Sequence, residues 1–272
     1  MNRRPPSIIV VLGTLGVLFI ATPLVSLVWR TPWSSLGDVL TDPVIRDAVW
    51  LSITSAAATT AIALVVGVPL SLLLADTTSR IRGPVLALVT LPIVLPPVAG
   101  GIALLSAFGR EGLVGGRLDA WFDITLLGTP AAVVMAQLFV SLPFLVVTVE
   151  SALSKRSRAP ELAAATLGAG PNSIIWRVTL PAIGNSIVAG ATLTWARALG
   201  ELGATLTFAG SLPARSRTVP SSILLLLETD PDAARTLSVL LLSVAALVLF
   251  GLRRRWTGIW SYWRSSATSP DR

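Results

Sequence analysis

Arg197 and Glu201 are charged residues that lie deep inside a long apolar stretch of the sequence. They are four positions apart, a spacing that puts both side chains on one face of a helix. Charged groups inside a bilayer are costly and usually face a cavity or a charged partner. The pair therefore either borders a polar path or forms an ion pair that holds helices in register, and we favour the ion pair.

Other residues that could do covalent chemistry are scarce. The chain has 272 residues with no Cys and no His, which excludes disulfides, Cys/His metal sites and Ser-His-Asp triads. Its single lysine, Lys155, stands between Ser154 and Arg156, so the chain has no G-x-x-x-x-G-K-[ST] phosphate loop. We predict that the chain is not an enzyme and binds no metal or cofactor. Any ATP hydrolysis is then expected on a partner.

The composition indicates an integral membrane protein. Hydrophobic residues make up 53% of the chain and charged residues only 13%, against about 25% charged in a typical soluble domain. The net charge of +7 is better explained by basic residues that flank membrane spans than by nucleic-acid binding. We therefore expect membrane lipid, and no nucleic acid, among the partners.

Apolar runs of about 20 residues predict an all-α protein with about six transmembrane helices. The runs are Ile8–Trp29, Ala48–Ala75, Pro84–Phe108, Ile124–Val149, Ala182–Ala209 and Thr236–Leu252. The first run is longer than a signal-peptide core and lacks a small-x-small cleavage site, so we interpret it as a retained span. After the fifth run, Ser221–Leu227 is expected to form a short external helix.

The basic residues predict the orientation. With the N-terminus inside, most Lys and Arg residues fall in cytoplasmic segments, so both termini are expected in the cytoplasm. They include Arg3, Arg4, Arg80, Arg82, Lys155, Arg156, Arg158, Arg177, Arg253, Arg254, Arg255 and Arg264. We divide the chain into an N-terminal span with an external loop (1–47), a core (48–252) that contains a cytoplasmic segment (155–181), and a cytoplasmic tail (253–272).

The stretch "ELAAATLGAGPNSIIWRVTLPAI", residues 161–183, is too polar to cross a bilayer and too apolar for a solvated loop. Pro160 suits the first turn of a helix, Gly168 can take the left-handed conformation that ends one, and Pro171 prevents simple continuation. Two short helices around a bend are predicted. The residues alone leave two roles open: docking into a groove of another protein, or resting on lipid headgroups.

This stretch resembles the cytoplasmic signature of ABC importer permeases, E-A-A-x-x-x-G followed after nine residues by I-x-L-P. Gly168 matches the glycine, and Val178–Pro181 matches I-x-L-P. Leu162 stands where the family has Glu, and Glu161 lies one residue earlier. The resemblance implies a coupling helix that docks on a separate ATPase, with contacts from Glu161, Leu162, Ala163, Ala164, Gly168, Ala169, Gly170, Pro171, Leu180 and Pro181.

Two further stretches are similar to the molybdate branch of oxyanion permeases. They are "LPIVLPPVAGGIALL" (91–105) and "WARALGELGATLTFAG" (195–210), which match L-P-P-V-V-A-G and A-R-x-L-G-E-F-G-A-T with Leu202 in place of Phe. The sulfate/thiosulfate branch tends to read G-E-Y-G-S. The resemblance implies a type I ABC importer (MetI-like) permease of the bacterial cytoplasmic membrane that carries molybdate or tungstate. A sulfate/thiosulfate permease, a passive anion channel and a membrane-embedded enzyme remain as alternatives.

The prolines and glycines of the first stretch predict a broken span. Backbone freed by such a break must face protein or a water-filled cavity, which fits a transport path, although a kinked packing helix is the alternative. The predicted path comprises Pro96, Pro97, Gly100, Thr192, Thr194, Arg197, Gly200, Glu201, Gly203, Thr205 and Thr207. The implied partners are two ATP-binding cassette subunits that carry ATP and Mg, an extracytoplasmic oxyanion-binding protein and a second copy of this chain.

Overall fold

The computed structural model describes residues 6–76 and 81–256, and every regular element within these ranges is helical. A 3-10 turn lies at Trp33–Ser35 and a π-helical turn at Ile175–Thr179. The α-helices are α1 (Ser7–Arg30), α2 (Leu36–Thr41), α3 (Pro43–Asp76), α4 (Arg82–Val94), α5 (Pro97–Phe108), α6 (Gly115–Phe122), α7 (Pro130–Lys155), α8 (Ala159–Thr166), α9 (Pro171–Ile174), α10 (Leu180–Ala182), α11 (Gly184–Leu199), α12 (Gly203–Phe208), α13 (Val219–Thr229) and α14 (Pro231–Trp256).

Four of these helices are long and apolar enough to cross a membrane: α1, α3, α7 and α14. Two further pairs of helices are apolar and long enough only when taken together, and each pair is bent at a short break. Helices α4 and α5 meet at 117°, and the segment Pro171–Ala182 meets α11 at 69°. The predicted number of six spans is reached when each bent pair counts as one span. The all-helical membrane fold is therefore confirmed, although two of the predicted runs are not continuous helices.

The break between α4 and α5 follows from two consecutive prolines. Leu95 precedes Pro96 and has extended backbone angles (φ −67°, ψ 131°), as expected because a proline disfavours the helical conformation of the residue before it. Pro97 then occupies the first turn of α5, where the missing N–H costs no hydrogen bond. The predicted span Pro84–Phe108 is thus two helices, with the break where its prolines predict one.

Helix α7 forms the centre of the bundle and packs against α3 and α11. Leu145 is fully buried at this junction, and a Cβ added to Gly67 of α3 or Gly190 of α11 would come within 2.9 Å of its side chain. Small residues thus allow both helices to approach α7 closely, as is common in membrane bundles. A polar contact supports the packing: the Thr59 hydroxyl donates to Gln137 Oε1 at 3.0 Å.

The other predicted boundaries are shifted. The fourth helix begins at Pro130 rather than Ile124, because Gly128 (φ +73°) and the cap Thr129 precede it, and it continues to Lys155. The fifth predicted run is divided into α11 and α12 by residues 200–202. The predicted short helix Ser221–Leu227 lies within α13 and is confirmed as a helix.

Some predictions fall outside the described residues. They concern Arg3, Arg4 and Arg80, together with positions 257–272 of the proposed tail. Helix α1 leaves its apolar side chains exposed within this chain, with none buried. That exposure suits a helix surrounded by lipid.

Candidate functional site

Arg197 and Glu201 form the predicted ion pair. Arg197 Nη1 lies 2.5 Å from Glu201 Oε2. The other carboxylate oxygen, Glu201 Oε1, accepts the backbone N–H of Ala204 at 2.8 Å. The Glu201 side chain is 1% exposed and that of Arg197 is 28% exposed. The pair therefore does more than join one helix face: it ties the end of α11 to the first turn of α12.

The position of Glu201 has a clear electrostatic reason. The first N–H groups of a helix have no partner within the helix, and they carry the positive end of its dipole. A carboxylate placed there accepts a hydrogen bond and compensates that charge, while Arg197 compensates the carboxylate. A short helix of six residues, α12, is thereby stabilised directly after the break.

Helices α5 and α12 pack against each other through small residues. A Cβ added to Gly203 would lie 2.7 Å from Pro97 Cβ, and one added to Gly101 would lie 2.6 Å from Thr207 Cβ. Real Cβ atoms do not approach so closely, so these glycines are required by the contact between the helices. The two motifs in the sequence, 91–105 and 195–210, thus meet in the fold.

The residues predicted to line a path fall into separate environments. Thr192, Thr194 and Thr205 are buried within this chain. Thr194 donates to the Ser141 carbonyl at 3.4 Å, and the Thr205 hydroxyl has no hydrogen-bond partner among the described residues. Pro96, Pro97 and Gly200 are exposed, Gly100 is buried, and Gly203 and Thr207 are half-buried.

Thr207 also borders an open groove of about 420 Å³ at the end of α12, together with Leu105, Gly128 and Ser211. The structure thus brings Pro97, Gly203 and Thr207 together at the contact between α5 and α12. Thr192 and Thr194 lie on α11, which packs against α7. The assignment of a path to these residues stays a prediction.

The segment that resembles the family signature has the predicted shape. Helix α8 contains Pro160 in its first turn, Gly168 has a φ of +85°, and α9 begins at Pro171. The bend is therefore confirmed. The Ile175–Thr179 π-helical turn follows and leads into α10.

Glu161 points towards the protein rather than outwards. Its Oε1 accepts hydrogen bonds from Arg156 Nη2 at 2.6 Å and Nε at 3.1 Å, and from the Thr179 hydroxyl. Burial raises the pKa of this carboxyl, but the hydrogen bonds from Thr179 and Arg156 and the charges of Arg156 and Arg158 outweigh it. The pKa of Glu161 therefore lies below its ordinary value.

Three apolar side chains of the same segment point outwards: Leu162 is 66% exposed, Trp176 is 72% exposed and Leu167 is 88% exposed. Leu162 is the residue that stands where the family signature has Glu. The segment therefore presents an apolar surface, which we call the 162–176 surface, and keeps its carboxylate inside. The remaining predicted contact residues of the segment are exposed or half-buried.

A second polar cluster was missed by sequence reasoning. Arg82, at the start of α4, forms an ion pair with Glu150 of α7, and the Ser154 hydroxyl donates to the same carboxylate oxygen at 2.7 Å. Glu150 directly follows the predicted fourth span. A carboxylate at the end of a span was the one sequence signal for a polar contact here. No pattern in the sequence indicates that its partner is Arg82. Within residues 6–76 and 81–256, no group of three or more acidic residues could hold a metal.

Comparison with known proteins agrees with this architecture. The family profile described as "Binding-protein-dependent transport system inner membrane component" matches residues 67–257. The molybdenum transport system permease protein ModB of Mycobacterium tuberculosis is 47% identical over 240 residues, covering 88% of this chain and 90% of the relative. A probable sulfate transport system permease protein of Marchantia polymorpha is 30% identical over 243 residues, covering 88% and 84%.

Among solved structures, a bacterial alginate ABC transporter in complex with a pentasaccharide-bound periplasmic protein has a chain that superposes with a TM-score of 0.75. The match covers 92% of this chain and 93% of that chain at 16% identity, so it supports the fold alone. The predicted permease fold is confirmed, and so is the resemblance to the molybdate branch. This chain belongs to the family of binding-protein-dependent transport system inner membrane components, as a multi-pass membrane permease of the ABC importer type.

Proposed function

We propose that this chain is the transmembrane subunit of an ATP-driven importer of molybdate. The observation that carries the proposal is the 47% identity to a molybdenum transport permease along 88% of the chain. The sulfate permease relative shares less, 30% over a similar length. Motifs 91–105 and 195–210, both similar to the molybdate branch, also meet at the contact between α5 and α12.

The energy for transport comes from a separate ATPase, which binds ATP and Mg. The 162–176 surface supports this part of the proposal. Large apolar side chains such as Leu167 and Trp176 are 88% and 72% exposed, on a segment outside the predicted spans. Large apolar side chains exposed together on one short segment suit a contact with another protein. We assign the surface to a groove of the ATPase, with one such contact from each of two permease copies.

The substrate path runs between two copies of this chain, with both termini in the cytoplasm. ATP binding closes the ATPase pair, displaces α8 in each copy and opens the path outwards, where a binding protein delivers the oxyanion. Hydrolysis restores the inward-facing state. Neutral hydroxyl groups along the path suit passage of a dianion, since a strong unpaired cation would trap it. Arg197 is neutralised by Glu201 at 2.5 Å and so does not form such a trap.

Uptake by the reconstituted transporter tests the proposal. The permease, the ATPase and the binding protein are placed in proteoliposomes, and ATP-dependent accumulation of molybdate is measured with and without tungstate or sulfate as competitors. We expect molybdate uptake that requires ATP and the binding protein and that excess sulfate does not suppress. Preferential uptake of sulfate would assign the chain to sulfate transport. Molybdate flux without ATP would indicate a passive channel.

A further inference from the structure

Glu161 connects three elements of the fold through a single carboxylate. The residue belongs to α8, Arg156 follows the last residue of α7, and Thr179 ends the π-helical turn that leads towards α11. Arg156 donates twice to Glu161 Oε1, at 2.6 and 3.1 Å, and Thr179 donates to the same atom. We call Arg156, Glu161 and Thr179 the α8 clasp.

Each end of the α8 clasp is anchored in the helical bundle. Arg156 Nη1 also donates to the Leu153 carbonyl at 2.9 Å, and Leu153 is buried in the core formed by α3, α7 and α11. Thr179 is itself 3% exposed. Ile183, four residues after Thr179, is buried in the same core as Leu153. A displacement of Glu161 therefore acts on the end of α7 and on the approach to α11 together.

The rest of the connection between α8 and α11 is poorly suited to transmit a displacement. It passes through Gly168, with a φ of +85°, and Gly170, and a Cβ added to either would meet no atom within 4 Å. The two glycines face open space, so they make no side-chain contact through which a displacement of α8 could pass to the bundle. Coupling between distant sites can be carried by a continuous network of packed or hydrogen-bonded groups. The α8 clasp is such a network, and it joins α8 to the end of α7 and to the approach to α11.

On the basis of the proposed function, we propose that Glu161 is a positioning residue of the transport cycle, which transmits the displacement of α8 to α7 and α11 without contacting the ATPase itself. The outward 162–176 surface makes the contact with the ATPase, and the inward carboxylate passes the displacement to the spans. Loss of the α8 clasp then lowers the amount of substrate transported per ATP hydrolysed. It does not prevent the permease from binding the ATPase.

The first test is the ratio of transport to hydrolysis. Glu161→Gln and Thr179→Val are compared with the wild type in proteoliposomes that contain the full transporter. We expect both variants to retain the ATPase on purification and to hydrolyse ATP, while molybdate taken up per ATP falls about threefold to tenfold. Asp232→Asn, which breaks an exposed ion pair with Arg235 elsewhere, is the matched control and should keep the wild-type ratio.

Exchange of the two charges provides a rescue. Arg156→Glu combined with Glu161→Arg restores an ion pair at the same place, and the new Arg can donate to the Thr179 hydroxyl. Arg156→Glu alone and Glu161→Arg alone should both lower the molybdate taken up per ATP. The double variant should recover much of that loss. A wild-type ratio in Glu161→Gln would overturn the proposal, and so would loss of the ATPase from that variant, since it would place Glu161 in the contact with the ATPase.

A second measurement separates this inference from the proposed function. Amide hydrogen exchange of residues 159–166 is followed in the full-length permease without partners. Glu161→Gln should accelerate exchange in α8 by about tenfold, as expected when a hydrogen bond to a charged group is weakened. Unchanged exchange would refute the α8 clasp even in an active importer. If the wild type fails to transport molybdate but the exchange responds, the proposed function fails while the clasp remains.

Discussion

Arg197 and Glu201 form an ion pair at 2.5 Å across the end of a helix. Arg197 lies in the last turn of α11, which ends at Leu199, and Glu201 lies in the segment that follows. The second oxygen of Glu201 caps α12 through the Ala204 N–H. One carboxylate thus joins the end of α11 to the first turn of α12. In lipid, backbone groups freed by a break must find partners within the protein, and Glu201 supplies one.

Replacement of Glu201 should therefore affect stability in two graded steps. Glu201→Gln keeps an oxygen that can accept the Ala204 N–H but loses the charge, whereas Glu201→Ala loses both. We expect Glu201→Ala to lower the free energy of unfolding by about 2–4 kcal/mol and Glu201→Gln by about half of that. Thermal unfolding of the purified wild type and both variants in detergent micelles measures which variant is destabilised more. Equal losses would show that the helix cap contributes nothing.

Arg197→Ala should reduce transport. The substitution leaves the carboxylate of Glu201, which is 1% exposed, without its compensating charge. A buried unpaired charge is strongly unfavourable, so the junction of α11 and α12 should rearrange. The measurement is molybdate uptake at equal amounts of permease in the membrane. Wild-type uptake would exclude an essential role for Arg197, and the exposed Arg235→Ala serves as the control for loss of a surface arginine.

Alanine at the glycines between α5 and α12 should force these helices apart. The added Cβ at Gly203 would lie 2.7 Å from Pro97 Cβ, and that at Gly101 would lie 2.6 Å from Thr207 Cβ. Overpacking of this kind costs about 1–3 kcal/mol, and we expect a lower unfolding temperature with reduced uptake.

Gly16→Ala in α1 is the matched control, since its Cβ would meet no atom within 4 Å. In a helix interior this change should be neutral or slightly stabilising. Equal effects at Gly16 and Gly203 would contradict the close contact between α5 and α12.

Leu167→Asp should weaken the association with the ATPase without destabilising the permease. Leu167 is 88% exposed, so the isolated chain loses little buried apolar area, but a charge would enter the proposed groove. Apolar anchors of an interface commonly contribute about 2 kcal/mol or more, which corresponds to a loss of binding of about thirtyfold. Co-purification of the permease and the ATPase measures this loss of binding. Unchanged association would show that the contact does not involve Leu167.

The contribution of Glu161 should depend on pH in a defined direction. The pKa of Glu161 is below its ordinary value because Thr179 and Arg156 hydrogen-bond to the ionised form, against the opposing effect of burial. A lowered pKa gives stability that is present above the unfolded value, about 4.3, and is lost as the pH falls through the folded value.

The difference in unfolding temperature between wild type and Glu161→Gln should therefore be constant from about pH 6 to pH 8 and should shrink below about pH 4. A difference that grows as the pH falls would show that the protonated carboxyl is the form stabilised in the fold.

Several features could be read from the sequence because they depend on local order. The apolar runs are long enough to cross a bilayer, so the membrane class and the all-helical fold followed from length and composition. Pro160, Gly168 and Pro171 fixed the bend between α8 and α9, since the backbone angles of proline and glycine are largely intrinsic. The i, i+4 spacing of Arg197 and Glu201 likewise predicted their ion pair.

Other features were decided by packing between helices distant in sequence. The inward direction of Glu161 depends on Thr179, eighteen residues later, and the pair of Arg82 with Glu150 is separated by 68 positions. Burial of Thr194 depends on the face that α11 turns towards α7, where its hydroxyl donates to the Ser141 carbonyl. A local sequence pattern specifies a helix and its polar face. The residues that contact this face are determined by the close packing of the whole bundle, which only the tertiary structure shows.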